Sequence, residues 1–356
     1  LQLTLILISL KKKYTNNNND FMQMMRAIQV NSPGGDFELV QKEIPEPGNS
    51  EVLIKVEACG ICHGDAISKE GHFPGIKYPI TPGHEVVGIV NKTGSMVTGW
   101  KTGQRVGIGW HGGHCNQCSA CRRGDFGACE KSLTTGIHID GGYAEYMIAR
   151  PDVMVNIPDE LGSVEAAPLL CAGRTTFGAL QQSGARPGDL VAIHGLGGLG
   201  HLAVQYAVKS GYKTVVLSRG RAKEELAYKL GANVYIDTDG GDAAKQLLKL
   251  GGARVILCTA PSGKAISGLI PGLGRNGQAI IVTGAMDMMQ IPPAMLLGGE
   301  RSIKGFVTGN MEDAIRFSVQ AKIIPTIEVF PLEQVALAYG KMMSATVHFR
   351  SVLKMD

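Results

Sequence analysis

A chain of 356 residues is more than one hydrophobic core ordinarily serves and suits two, since single domains mostly run to roughly 100 to 200 residues. With 44% hydrophobic and 19% charged residues, the composition excludes a largely disordered chain. Lys11, Lys12 and Lys13 less Asp20 contribute +2 of the net charge of +4, and the remaining +2 excludes a surface built for nucleic acid.

The chain opens on an apolar run, Leu1 to Leu10, followed by the three lysines and by Asn16 to Asn19. The run is too short to span a bilayer, which takes about 20 residues, and its charges follow rather than precede it, unlike a secretory signal. Residues 1–24 therefore read as a disordered or non-native extension. From Met25 to about Pro168, short alternating runs such as Glu51 to Glu57 and Glu85 to Val90, broken by glycine and proline, predict a compact β-rich domain over 25–168.

Four cysteines in that span, Cys115, Cys118, Cys121 and Cys129, have a CxxCxxCx7C spacing that lets four thiolates close around one tetrahedral zinc. A shell of four sulfurs leaves no open position, so this zinc is expected to be structural. A second set, Cys62, His84 and Glu85 with Cys171 downstream, is weaker residue by residue. Together, two thiolates and an imidazole leave a fourth position open, as a catalytic zinc needs. Asp65 is placed to orient a liganding imidazole. Clustered cysteines beside histidines favour metal over disulfides and hence a reducing, cytoplasmic setting; Cys59 and Cys258 read as small buried residues.

From about Ala185 the rhythm becomes strand, helix, strand: Leu190 to His194, Leu199 to Ser210, Thr214 to Ser218, Ala222 to Leu230, then apolar runs near Val234, Val255 and Ile280. This predicts an α/β, doubly wound parallel sheet over 169–306, with residues 307–356 returning to the first domain and Thr346 to Lys354 as a closing strand. The sequence GLGGLG, Gly195 through Gly197, Gly198 and Leu199 to Gly200, lies directly between strand and helix. That placement suits a dinucleotide pyrophosphate on the helix amino terminus. About 20 residues on, where an NAD site carries an acid, stands Ser218, followed by Arg219 and Arg221. A serine and two arginines favour a 2′-phosphate, so NADP is expected over NAD.

With these clusters in view, the chain from Met25 onward resembles the zinc-containing alcohol dehydrogenases of the medium-chain dehydrogenase/reductase superfamily. The resemblance rests on CGICHGD at Cys59 to Asp65, PGHEVVG at Pro82 to Gly88, CAGRTTF from Cys171 and the four-cysteine lobe. It implies a GroES-like catalytic domain plus a Rossmann domain, two zincs per chain, and an alcohol or aldehyde substrate in a homodimer or homotetramer. Carried over, it gives Cys62, His84 and Cys171 as ligands, Glu85 as an exchangeable one, and Asp65 bonded to His84. It places Thr175 against the nicotinamide, Arg350 at the pyrophosphate and Trp110 at a substrate pocket. A polyol or cinnamyl-alcohol type dehydrogenase is the second enzyme reading, and a zinc-organised binding or structural protein the non-enzyme one.

One departure matters. The family usually has Thr or Ser two residues after the first ligand cysteine, and often His three residues later, to carry the alcohol proton outward. Here these positions are Gly64 and Ile67, which have no such group. His63 or a file of water is left to take the proton, and Gly64→Thr is expected to alter the pH dependence of alcohol oxidation.

Overall fold

The computed structural model describes residues 23–347 and 349–356. Residues 1–22 of the expected extension lie outside it, and Met24 already belongs to the first strand, Met24–Gln29.

Two sheets organise the chain. The first is seven-stranded and mixed, in the order Ile327–Pro331, Arg350–Lys354, Val52–Ile61, Val86–Thr93, Arg105–Ile108 and Met154–Asn156, with Tyr146–Ala149 also pairing Val52–Ile61. The strand Val52–Ile61 is almost wholly buried because it has neighbours along both edges. Sheet residues such as Ile54, Ile61, Val86 and Ile108 form one core with Tyr143 and Tyr339.

The second sheet has six strands, all parallel, in the order Val234–Asp237, Lys213–Ser218, Leu190–His194, Ala253–Cys258, Leu273–Ile281 and Ser302–Gly305. Numbered along the chain this is 3-2-1-4-5-6, the doubly wound dinucleotide-binding order, and its switch point lies at the carboxyl end of Leu190–His194. Every residue of that central strand is buried, as helices on both faces require. The glycine sequence leaves the sheet at this switch point.

Expected and observed elements differ at one place that matters. The last strand begins at Arg350 rather than Thr346. The backbone N–H groups of Thr346 and Val347 donate to the Lys341 carbonyl, and Ala345 has a φ of 55°, so these residues close the helix Val335–Met343 instead of pairing in the sheet.

Between the sheets runs the helix Ala172–Gln181, which begins at Cys171 and packs on the helix Gly200–Lys209 after the glycine loop. One rod of structure thus spans a metal-ligating thiol and the nucleotide fold. Among the described residues, no helix is long and apolar enough to cross a membrane.

Candidate active site and metal centres

Cys62 follows the end of Val52–Ile61, and His84 and Glu85 precede Val86–Thr93. These strands are antiparallel neighbours with Cys59 opposite Val86, so their ends bring the distant residues together. Cys171 arrives from the other side at the start of its helix. The Cys62 and Cys171 sulfurs are 3.9 Å apart, and one ligand atom from each of Cys62, His84, Glu85 and Cys171 lies within 4.8 Å of the others.

Each candidate ligand is held from behind. Asp65 Oδ1 lies 2.9 Å from His84 Nδ1, and Asp65 Oδ2 accepts from the Cys62 backbone N–H at 2.8 Å and from the Tyr143 hydroxyl at 2.9 Å. With Nδ1 engaged, His84 Nε2 is left buried and without a partner among the described residues. Glu85 Oε1 accepts from Arg350 Nη2, while Glu85 Oε2 is likewise buried and unpartnered. Gly60 makes room for that carboxylate, since a Cβ there would lie 1.9 Å from Glu85 Oε2.

Electrostatics agree with the geometry. The Cys171 thiol hydrogen bond, then His84 and Arg350, hold the Cys62 thiol well below its ordinary range against burial. Burial pushes Glu85 up to about 7 despite Arg350. Two thiols, an imidazole nitrogen with no partner and a spare carboxylate oxygen are a donor set that fits zinc.

In the second cluster, Cys115, Cys118, Cys121 and Cys129 also hold their sulfurs within 4.8 Å. The lobe is local structure: a short strand pair His111–Gly113 with Leu133–Thr134, a single helical turn Ser119–Arg122 and a 3-10 turn Phe126–Ala128. Backbone N–H groups of Gln117 and Cys118 point at the Cys115 sulfur, and those of Cys115 and Lys131 at the Cys129 sulfur. Such donors favour thiolates. The Cys118 thiol is drawn down to about 6, first by the backbone N–H of Cys121.

At the glycine loop the three key positions do different things. Gly195 has a φ of 97°, and a Cβ on Gly200 would meet the Gly195 carbonyl at 1.9 Å, so these serve the turn and the close packing. A Cβ on Gly197 would meet nothing within 4 Å, leaving open space for a ligand. Leu199 precedes a helix with no side-chain cap; the His201 N–H donates to the Gly197 carbonyl, and no side chain covers the helix amino terminus where a phosphate would sit. Gly198 lies against Arg350, whose Nη1 would be 3.2 Å from a Cβ there.

Ser218 ends its strand half-buried, and Arg219 and Arg221 are exposed beyond it. Arg221 is paired with Glu224 at 2.9 Å. Lys223, which the sequence did not single out, donates to the Leu196 carbonyl at 2.8 Å and so stands over the loop. Asp237 is Ser218's neighbour across the sheet, but its Oδ1 accepts from the N–H groups of Gly220 and Asp239. Thr175 Oγ1 donates to the Val307 carbonyl at 3.2 Å, and His63 is exposed beside Cys62. Tyr143 was also missed, because nothing in GGYAEY marks its hydroxyl.

The Trp110 ring stands edge-on to His84, centroids 4.8 Å apart. A Cβ on Gly64 would meet His84 Cε1 at 2.8 Å and Trp110 Cζ3 at 2.9 Å. The space where a relay hydroxyl would project is therefore filled.

A doubly wound sheet, a glycine loop at its switch point and, beside it, an open metal centre of two thiols and one imidazole define a zinc- and dinucleotide-dependent dehydrogenase. Residues 48–159 match the alcohol dehydrogenase GroES-like domain and residues 198–320 the zinc-binding dehydrogenase domain. The chain is 44% identical over 313 residues to alcohol dehydrogenase notN of Aspergillus sp. (strain MF297-2), covering 87% of this chain and 92% of that one. Among solved structures it is similar to CAD from Helicobacter pylori complexed with NADP(H), with 25% identity, TM-score 0.83 and coverage of 93% and 98%. It is also similar to an NAD-dependent alcohol dehydrogenase, with 26% identity, TM-score 0.86 and coverage of 93% and 100%. This chain belongs to the zinc-containing alcohol dehydrogenase family of the medium-chain superfamily. It has a catalytic and a structural zinc site and acts with NAD(P).

Proposed function

We propose that this alcohol dehydrogenase interconverts a primary alcohol and its aldehyde and prefers NADP to NAD. The observation that carries the cofactor choice is the end of the strand Lys213–Ser218, where a serine replaces the expected acid. Exposed Arg219 and Lys223 stand beside it, with Lys223 held over the loop by the Leu196 carbonyl. Asp237 does not oppose this reading strongly, because its carboxylate is occupied by backbone N–H groups.

When bound, zinc supplies Lewis acidity to the alcohol or carbonyl oxygen, and the nicotinamide gives or takes the hydride. The chain's own residues prepare the site for that chemistry. Cys62, His84 and Cys171 hold the metal, Asp65 fixes the His84 ring, and Glu85 stands by with one free oxygen. Gly195, Gly197, Gly198, Leu199 and Gly200 receive the pyrophosphate with Arg350, and Thr175 lies toward the nicotinamide. Since Gly64 and Ile67 offer no acceptor, His63, exposed next to Cys62, or water takes the alcohol proton.

We further read residues 25–168 and 307–356 as the catalytic domain, 169–306 as the nucleotide domain, and the protein as a cytoplasmic homodimer or homotetramer. All eight cysteines are free, which suits a reducing compartment. Met286, Met288 and Leu297, at 97%, 83% and 82% exposure, lie in the segments leading to the edge strand Ser302–Gly305 and would be covered by a second copy.

The test is NADPH and NADH consumption with a panel of aldehydes, with zinc measured on the same sample. Faster turnover with NADPH supports the reading. Faster turnover with NADH overturns the cofactor choice and leaves the enzyme class in place.

A further inference from the structure

Arg174 is a buried arginine whose charge nothing in the described chain answers. Its residue exposure is 6%, its Nε is buried without a partner, and Nη1 and Nη2, which keep some access to solvent, make no hydrogen bond or ion pair among the described residues. Other buried or half-buried arginines are engaged. Arg350 pairs with Glu85, Arg150 with Asp152, and Arg105 donates to the carbonyls of Pro158 and Leu161. A buried guanidinium is costly unless it is paired.

Its position makes the cost harder to attribute to packing. Arg174 sits in the first turn of the helix Ala172–Gln181, three residues after the metal ligand Cys171, where the helix dipole repels a cation. Its Nη1 would be 3.4 Å from a Cβ on Gly109, the residue before Trp110, with Met311 on the same spot. Trp110 in turn stands edge-on to His84. The cation thus lies beside the part of the site that carries Trp110. No carboxylate is among the groups that act on it; burial lowers its pKa and Cys171 alone opposes this.

We propose that Arg174 binds a carboxylate carried by the substrate, so that the enzyme selects alcohols and aldehydes bearing an acidic group at the end remote from the reacting carbon. This rests on the reading of the Cys62, His84 and Cys171 centre as the place where an aldehyde is reduced. A carboxylate supplies the bidentate partner that the guanidinium fork lacks, and it does so only when the substrate is in place. A polar site left unpaired rejects the analogue lacking the matching group, so discrimination is expected against neutral aldehydes.

The experiment compares 4-carboxybenzaldehyde with benzaldehyde on the zinc-loaded enzyme, in the wild type and in Arg174→Gln and Arg174→Lys. The expected result is a higher kcat/KM for the carboxylated aldehyde, carried mainly by KM, and a ratio that falls at least tenfold in Arg174→Gln and less in Arg174→Lys. A ratio unchanged within twofold in Arg174→Gln overturns the proposal. If the wild type reduces neither aldehyde, the reading of the site fails separately, and binding still decides the role of Arg174. Benzoate, but not inorganic phosphate at the same concentration, is then expected to raise the Tm of the wild type and not of Arg174→Gln. Equal shifts in both proteins, or a shift with phosphate alone, overturn it. Arg174→Met guards against a purely structural role: removal of an unanswered charge is expected to leave or raise the Tm, and a fall of more than about 10 °C counts against the proposal.

Discussion

The Arg350 guanidinium is paired with the Glu85 carboxylate in a fully buried contact, while its other arm lies against Gly198 of the nucleotide loop. One side chain therefore touches the metal centre and the cofactor cradle at once. Glu85→Gln leaves this cation without the one carboxylate that pairs with it among the described residues, and loss of about 3–5 kcal/mol of stability is expected. Urea unfolding of the zinc-loaded protein checks it. A loss under about 1 kcal/mol would show that water or zinc-bound groups already neutralise Arg350.

Gly64 and Trp110 are sterically coupled, so the pH test expected of Gly64→Thr acquires a condition. A Cβ at 64 runs into the Trp110 ring and the His84 ring, both within 3 Å. Gly64→Thr alone should lower zinc content, and adding Trp110→Ala, which gives the His84 ring room to shift, should restore part of it. Metal analysis of both variants is the measurement, and a fully metallated single variant would contradict the packing argument. Only in the double variant does the pH dependence of alcohol oxidation report on a relay.

Tyr143 acts on the metal through Asp65. Its buried hydroxyl donates to the oxygen of Asp65 that does not hold His84, fixing the carboxylate from behind. Tyr143→Phe removes that donor and should speed zinc release by about 10–100-fold, the usual effect of losing a group that orients a metal ligand. Transfer of zinc to a colorimetric chelator gives the rate, and an unchanged rate would reduce Tyr143 to packing.

His201 ties the nucleotide loop to the chain beyond it. The Thr326 N–H can only donate to His201 Nε2, at 3.1 Å, so Nδ1 carries the proton and donates to the Gly197 carbonyl at 3.1 Å. Burial lowers the pKa of this imidazole to about 4. The unfolded chain then takes up a proton near pH 6.5 that the folded chain refuses, so stability is lost as pH falls from about 6.5 towards 4. At pH 5 the loss is about 2 kcal/mol. Chemical denaturation at pH 7 and pH 5 should show this slope in the wild type and a shallower one in His201→Gln. Equal slopes would assign the acid sensitivity elsewhere.

Local patterns made a good part of this legible. The four-cysteine spacing needs only a short loop to close on a metal, so its ligand set is written in neighbouring residues. The strand, glycine loop and helix at Leu190 to Lys209 are equally local, as is the serine at 218, because each is fixed by backbone geometry within one supersecondary unit. The catalytic set was readable only as separate weak signals, since Cys62, His84 and Cys171 are far apart in the chain.

Tertiary structure decided what depends on distant chain segments meeting. The antiparallel pairing of Val52–Ile61 with Val86–Thr93 brings Cys62 to His84 and Glu85. The placement of Arg350–Lys354 against Val52–Ile61 buries Arg350 on Glu85. Tyr143 behind Asp65, Lys223 over the glycine loop, Trp110 in the space beside Gly64 and Arg174 without a partner among the described residues all arise the same way. A residue's type and spacing fix which chemistry it can offer, whereas its charge balance and the room around it are set by neighbours that only the folded chain supplies.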